Sequence, residues 1–258
     1  MTEAKQRGED LPVIDVDERA GDHTGNPQVL KSRLFMQLLV FDVAQEADPR
    51  RVLNQLSDAL RASEVPAVIY EDMNAPRGMG LLTWTEKPLD FVSIVRPTLL
   101  STDLAALVPR TTHTMIGRTY ATGFEPDLAY WLLDRPIETV LNPEWPWAVW
   151  YPLRRKGEFS RLDGREQGAI LREHGIIGRA YGAQDLAHDV RLACHGLDQY
   201  DNDFVIGLIG PDLHPLSHVV QSMRKTRQTS ELIEKMGPFF VGRAAVQLAG
   251  SARQQKRS

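Results

Sequence analysis

The most constraining feature of this 258-residue sequence is an order of elements that occurs twice, on either side of a proline-broken stretch. Arg33–Val43, rich in Leu, Phe and Val, predicts a strand. Asp48-Pro49 then predicts a helix start, with Val52, Leu56 and Leu60 on one stripe. Val65–Tyr70 and Gly80–Thr85 read as strands around a turn, Lys87–Val95 as a helix opening at Pro88, and Met115–Ala121 as a strand, which spells β-α-β-β-α-β. Asp134-Arg135-Pro136 through Asn142-Pro143-Glu144-Trp145-Pro146 reads as a linker. The order then returns: strand Trp147–Leu153, helix Gly164–Arg179, strands Asp189–His195 and Phe204–Ile209, helix Leu213–Arg227, strand Pro238–Gly242. The two halves do not match residue by residue, so the repetition rests on element order alone.

The expected class is α+β, with a flexible N-terminal arm over 1–27, one module over 28–140, a second over 141–247 and a flexible tail over 248–258. At 42% hydrophobic and 25% charged residues the chain can build an ordinary core. A formal charge of −4 gives no electrostatic reason to expect nucleic acid or an anionic membrane. No apolar run approaches the roughly 20 residues a spanning helix needs. Residues 1–10 lack the apolar segment of a secretory leader, so the cytoplasm is the expected compartment. The single cysteine, Cys194, excludes an internal disulfide and every CxxC metal arrangement, and reads as a small buried hydrophobe.

The phosphate loop, the HExxH zinc helix, the GxSxG elbow and the dinucleotide glycine spacing are all absent. Three other features carry chemistry. His174 shares a helical stripe with Ile170, Leu171 and Ile177, which suits either a hydrogen-bonded core histidine or an axial ligand offered to iron in a dry cavity. Trp145 to Lys156 is an aromatic strand, with Trp150 and Tyr151, that runs into Arg154-Arg155-Lys156. It suits either core and solvated charge, or a ring wall and cations for a planar dianionic ligand. His214 and His218, four apart, fit a half-exposed flank or a metal pair lacking a third ligand.

Trp150-Tyr151-Pro152-Leu153, Glu173-His174-Gly175-Ile176-Ile177-Gly178-Arg179-Ala180-Tyr181, Gly196-Leu197-Asp198 with Asn202-Asp203-Phe204, Met223-Arg224 and Gly237-Pro238-Phe239-Phe240-Val241-Gly242 resemble, in this order, the chlorite dismutase family. They look most like its coproheme decarboxylase branch. The resemblance implies two tandem ferredoxin-like modules whose antiparallel sheets form a β-barrel, haem b or coproheme held in the second module, and a homo-oligomer, commonly a pentamer. By the same resemblance His174 is the proximal iron ligand, Tyr151 the tyrosine that forms a radical beside a propionate, and Arg155 a propionate anchor, with Trp150 and Arg179 as further porphyrin contacts.

The sequence departs from the family on the distal side. Where dismutases carry arginine and many decarboxylases glutamine, Asp189 stands, and Leu132–Pro136 has no histidine for the branch that uses one. Asp189 and Arg191 lie two apart on one strand face, either as a surface ion pair or as distal groups handling a proton of bound peroxide. The acid partner of the proximal imidazole is expected at Glu231, or else Gln228. The resulting expectation is an enzyme, a haem- or coproheme-binding oxidoreductase driven by hydrogen peroxide, with oxidative decarboxylation of coproheme as its specific reaction. A haem carrier or sensor without turnover and a haem-free oligomeric scaffold are the alternatives.

Overall fold

A computed structural model describes residues 11–21 and 25–250. A short hairpin, β1 (Glu18–Ala20) and β2 (Gln28–Leu30), precedes a ten-stranded antiparallel sheet. In the first half the sheet takes β3 (Phe35–Val43), β4 (Ala67–Asp72), β5 (Gly78–Thr85), β6 (Leu107–Pro109) and β7 (Met115–Arg118). In the second it takes β8 (Trp147–Arg155), β9 (His188–Ala193), β10 (Phe204–Gly210), β11 (Ile233–Met236) and β12 (Phe240–Leu248). The helices are α1 (Pro49–Ala62), α2 (Arg96–Leu99), α3 (Arg135–Leu141), α4 (Glu158–Arg161), α5 (Gly164–Gly182), α6 (Leu213–Met223) and α7 (Arg227–Glu231).

The strand order is β10-β9-β7-β3-β5-β4-β12-β8-β11, with β6 on β3. Because β8 also pairs along its length with β10, the ladder returns on itself through eight strands. The two seams between the halves are unequal: β4 and β12 pair over six residues, whereas β7 and β9 meet only at Arg118 and Ala193. At the second seam Gly117 permits the approach, since a Cβ there would stand 2.7 Å from that of Leu192.

Strand alternation divides the side chains into faces. One core takes residues from both halves, including Met36, Leu38, Tyr70, Trp84, Trp150, Val190, Leu192 and Phe240. On the opposite face lie two separate cores, one around α1 with Val52, Leu56 and Leu60, the other beneath α6 with Val149, Tyr151, Leu153, Leu208, Leu216 and Val219.

Several sequence expectations need correction. The proline-broken linker is helical up to Leu141: a π-helical turn, Tyr130–Asp134, runs into α3, whose first turn holds Pro136. The expected helix over Lys87–Val95 is likewise a π turn, Phe91–Val95, running into α2 with Pro97 in its first turn. In both places a proline that cannot donate to the ladder follows directly on the widened turn. Strands β6 and β11 were not anticipated, and the expected module boundary at 140/141 falls within α3. The described part of the expected free arm is tied down. Glu18 pairs with Arg33 and Arg118 and accepts from the Ala121 amide, and Ala20 is buried against Leu128 and Leu132. Residues 1–10 of that arm, and the expected tail from 251, lie outside the described residues.

Candidate functional site

The site is built on the helix-covered face of β8, β10 and β9. Register aligns Tyr151, Ile206 and Arg191 in one row, and Val149, Leu208 and Asp189 in the next. Arg155 continues the Tyr151 side of β8, two positions beyond Leu153. Trp150 does not reach this face. It is wholly buried on the other one, where its ring occupies the space over Gly207. Strand alternation requires this, because neighbours on β8 cannot both line one wall.

Helix α5 lies above the sheet, started by Asp163, whose carboxylate accepts from the Glu166 amide. Over its 19 residues only Ile170 is buried. Beneath it Phe204 and Ile206 stay partly exposed in mid-sheet, and Asp189 and Arg191 keep about 40% of their side-chain surface. A helix seated on its sheet would bury these positions, so α5 and the sheet bound a slot.

His174 hangs from α5, half-buried. Its Nδ1 lies 3.5 Å from Thr226 Oγ1. The Thr226 hydroxyl gives its own proton to the Met223 carbonyl at 2.7 Å, so it can only accept from the imidazole. This sets the tautomer, with hydrogen on Nδ1 and the lone pair on Nε2, which makes no hydrogen bond among the described residues. Burial lowers the His174 pKa, and the charges of Arg155 and Arg191 lower it further against Asp189 and Glu173, so the ring is neutral at pH 7. Thr226 thus takes the part expected of Glu231 or Gln228. Glu231 pairs instead with Arg227 at 3.1 Å, and Gln228 is buried with its Oε1 unpartnered.

Asp203, the carboxylate whose charge acts on Arg155, accepts from the Arg155 amide at 2.7 Å rather than from its guanidinium. The Arg155 guanidinium stacks over Phe159 at 4.2 Å and Phe204 at 4.9 Å, its Nε is buried with no acceptor, and it makes no ion pair among the described residues. Burial pulls its pKa below the ordinary arginine value. Tyr151 is buried and stacks on Phe239 with centroids 4.6 Å apart. Burial raises its phenol pKa, and the Asp189 charge adds to this. Its hydroxyl makes no hydrogen bond among the described residues.

Asp189 and Arg191 are ion-paired at 2.9 Å, as their spacing allows. The other Asp189 oxygen is held by Arg135 Nη2 at 2.9 Å, while Arg135 Nη1 donates to the Asp189 carbonyl, also at 2.9 Å. Burial works to raise the Asp189 pKa, but the two guanidinium groups hold it below the ordinary value. Beside Arg191 a cavity of about 20 Å³, room for a single water, is lined by Tyr120, Glu125, Trp131 and Arg135. Half-buried Tyr120 lies close enough to Arg191 and Arg155 to feel both charges, and packs on Phe204 at 5.6 Å. Sequence reasoning missed Arg135, Tyr120 and Thr226. A conspicuous signal existed only for Arg135, an arginine in the stretch searched for a histidine.

The structure therefore brings His174, Arg155, Tyr151, Asp189 and Arg191 to one slot, and leaves out Trp150. Arg179 lies on the exposed flank of α5 with its guanidinium over Gly175. His214 and His218 do not gather a metal set: among the described residues no cluster of three ligating side chains exists. Cys194, buried just past the end of β9, has a thiol pKa that burial pushes up to about 12. No helix of the described residues is long and apolar enough to cross a membrane.

An α+β chain with a large antiparallel sheet and this slot has clear relatives. The family model described as chlorite dismutase matches residues 80–245, and the chain belongs to that family. A putative haem-binding protein of Haloarcula marismortui is 30% identical over 118 residues, 43% of this chain. The match spans only 17% of that relative's length. Among solved structures, a haem-binding protein from Thermus thermophilus superposes with a TM-score of 0.66 at 17% identity, over 88% of this chain and 96% of that one. Chlorite dismutase from Candidatus Nitrospira defluvii, in complex with imidazole, gives 0.64 at 14% identity, over 84% and 92%.

Proposed function

We propose that this protein binds haem or coproheme in the slot between α5 and the β8–β10–β9 face and acts there as a peroxide-dependent oxidoreductase. Oxidative decarboxylation of coproheme is the specific reaction. The observation that carries the reading is the tautomer of His174, a neutral imidazole with Nε2 left free beside the slot. Half-buried Arg155, with an Nε that has no acceptor, fits the same ligand, since a carboxylate of the porphyrin would pair with its guanidinium. Haem-binding relatives support the cofactor class. The closed strand ladder, with a shared core on one face and a helix-covered core for each half on the other, supports a barrel of two ferredoxin-like modules.

In this reading His174 Nε2 holds the iron and Thr226 orients the ring. Arg155 anchors a propionate. Burial keeps Tyr151 protonated at neutral pH, so its hydroxyl has a hydrogen to give up beside that carboxylate. Asp189 accepts a proton from peroxide, and Arg191 steadies the negative charge left on oxygen. Haem, when bound, would supply the redox-active iron at which peroxide is reduced. The double pairing of Asp189 favours a second reading, a carrier or sensor without turnover, because a carboxylate held by two guanidinium groups is a weak base.

Purified protein titrated with haem and with coproheme is expected to develop a Soret band that His174→Ala lacks. Peroxide added to the coproheme complex is expected to yield products lighter by one and then two carboxylates, by mass spectrometry. An unchanged Soret band in His174→Ala removes the ligand assignment. Coproheme that stays intact under peroxide removes the decarboxylase reading and leaves the carrier.

A further inference from the structure

On α5, Tyr181 stands seven residues beyond His174, two turns and about 10 Å along the helix, and therefore on the same stripe. That stripe packs against the end of α6. His174 meets Thr226, a Cβ on Gly178 would lie 3.6 Å from Met223 Cε, and the Tyr181 hydroxyl lies 2.5 Å from His218 Nδ1 and 3.0 Å from Ser222 Oγ. His218 is exposed, with His214 at 6.0 Å between ring centroids. A continuous path joins the two ends. Tyr181 contacts Ser222, Ser222 is bonded to Met223, the Met223 carbonyl accepts from Thr226 Oγ1, and Thr226 accepts from His174 Nδ1.

We infer that Tyr181 and His218 form a surface redox site at which small phenolic donors are oxidised one electron at a time, separate from the Tyr151 side of the slot. The inference rests on the haem reading above. A phenol gives up an electron easily only if its proton leaves at the same time, and a short hydrogen bond to an imidazole nitrogen provides the acceptor. In the step, the Tyr181 O–H bond breaks, its proton passes to His218 Nδ1 and its electron travels through the Ser222–Thr226 path to the iron at His174. A donor phenol then returns a hydrogen atom to the Tyr181 oxygen, and exposed His218 releases its proton to solvent. Two such cycles supply the two electrons, and two protons, by which one hydrogen peroxide becomes two waters. Half-exposed Tyr181 and the exposed rings of His218 and His214 offer a donor phenol a surface to stack on.

The test uses haem-loaded protein carrying Tyr151→Phe, so that the buried tyrosine contributes no signal. Freeze-quenching after peroxide is expected to give a tyrosyl signal by electron paramagnetic resonance that the further change Tyr181→Phe removes, with the Soret band unaltered. In the otherwise unsubstituted protein, His218→Ala is expected to slow oxidation of a phenolic donor by roughly ten- to a hundredfold, with peroxide still reacting. In haem-free protein, ¹⁵N shifts of the His218 ring should report Nδ1 as the unprotonated nitrogen. A tyrosyl signal that survives Tyr181→Phe, or none in a protein that binds haem through His174 and reacts with peroxide, overturns this inference alone. A protein that takes up no haem overturns the haem reading and this site with it.

Discussion

Trp150→Ala is expected to lower stability by about 3–5 kcal/mol, one of the largest effects a single substitution in this chain can have. The indole is fully buried and belongs to the core that both halves share. It lies where β8 is paired on both sides, opposite Gly207 of β10 and Phe240 of β12. A Cβ on Gly207 would come within 2.6 Å of its ring, so the glycine and the indole fill one space between them. Removal of the ring leaves a cavity where three strands meet, which the rigid ladder cannot collapse to fill. Chemical or thermal unfolding measures the loss, and a midpoint lower by roughly 6–20 °C is expected for a domain of this size. The same variant decides which wall Trp150 belongs to. If it kept its unfolding midpoint but lost porphyrin binding, the indole would line the slot, and the assignment of faces on β8 would be wrong.

The strands and helices that carry strong periodicity were legible in the sequence: β3, α1 with its Asp48 cap, β8, α5, β9 and β10 stand within a few residues of where the pattern puts them. What was lost is non-local. Strand β11 is four residues with no apolar run, and is a strand because β8 offers it an edge. Pro136 reads as a breaker, yet it, like Pro97, sits just past a π turn that lets the helix run on through a residue with no N–H to donate. His174, Tyr151, Arg155, Asp189 and Arg191 could be picked out because the family motifs run through or beside them, and alternation alone could have withdrawn Trp150. Arg135 reaches Asp189 across 54 residues and Thr226 reaches His174 across 52, and neither pair leaves a local spacing to read. Acids and amides announce a charge or a strong dipole in the sequence, and so they are the expected proximal partners. A threonine does the same orienting work only because its proton is committed to a backbone carbonyl.

Asp189→Asn is expected to cut peroxide turnover of the haem-loaded protein by about 10²–10⁴-fold, the ordinary contribution of a positioned proton acceptor. The Soret band should stay, since Asp189 does not hold the iron. Its pairing with Arg191 and Arg135 makes the pH dependence a sharper test. Both guanidinium groups favour the charged carboxylate and outweigh burial, so the Asp189 pKa lies below its ordinary 3.8. A depressed pKa means the acceptor is present at every pH above it and is lost only as pH falls through that low value. Turnover should therefore persist to more acid conditions than a free carboxylate allows. The ion pairs likewise stabilise the fold above the ordinary carboxylate pKa, and that stabilisation fades as acid protonates the group. Arg135→Gln removes one of the two opposing charges but leaves Arg191 at 2.9 Å. The acid limb of the pH–rate profile should move upward, with turnover falling at mildly acid pH and little changed near neutrality. An identical acid limb in Arg135→Gln and the unsubstituted protein would mean that Asp189 is not the titrating acceptor. The proton of peroxide would then have to leave by another group.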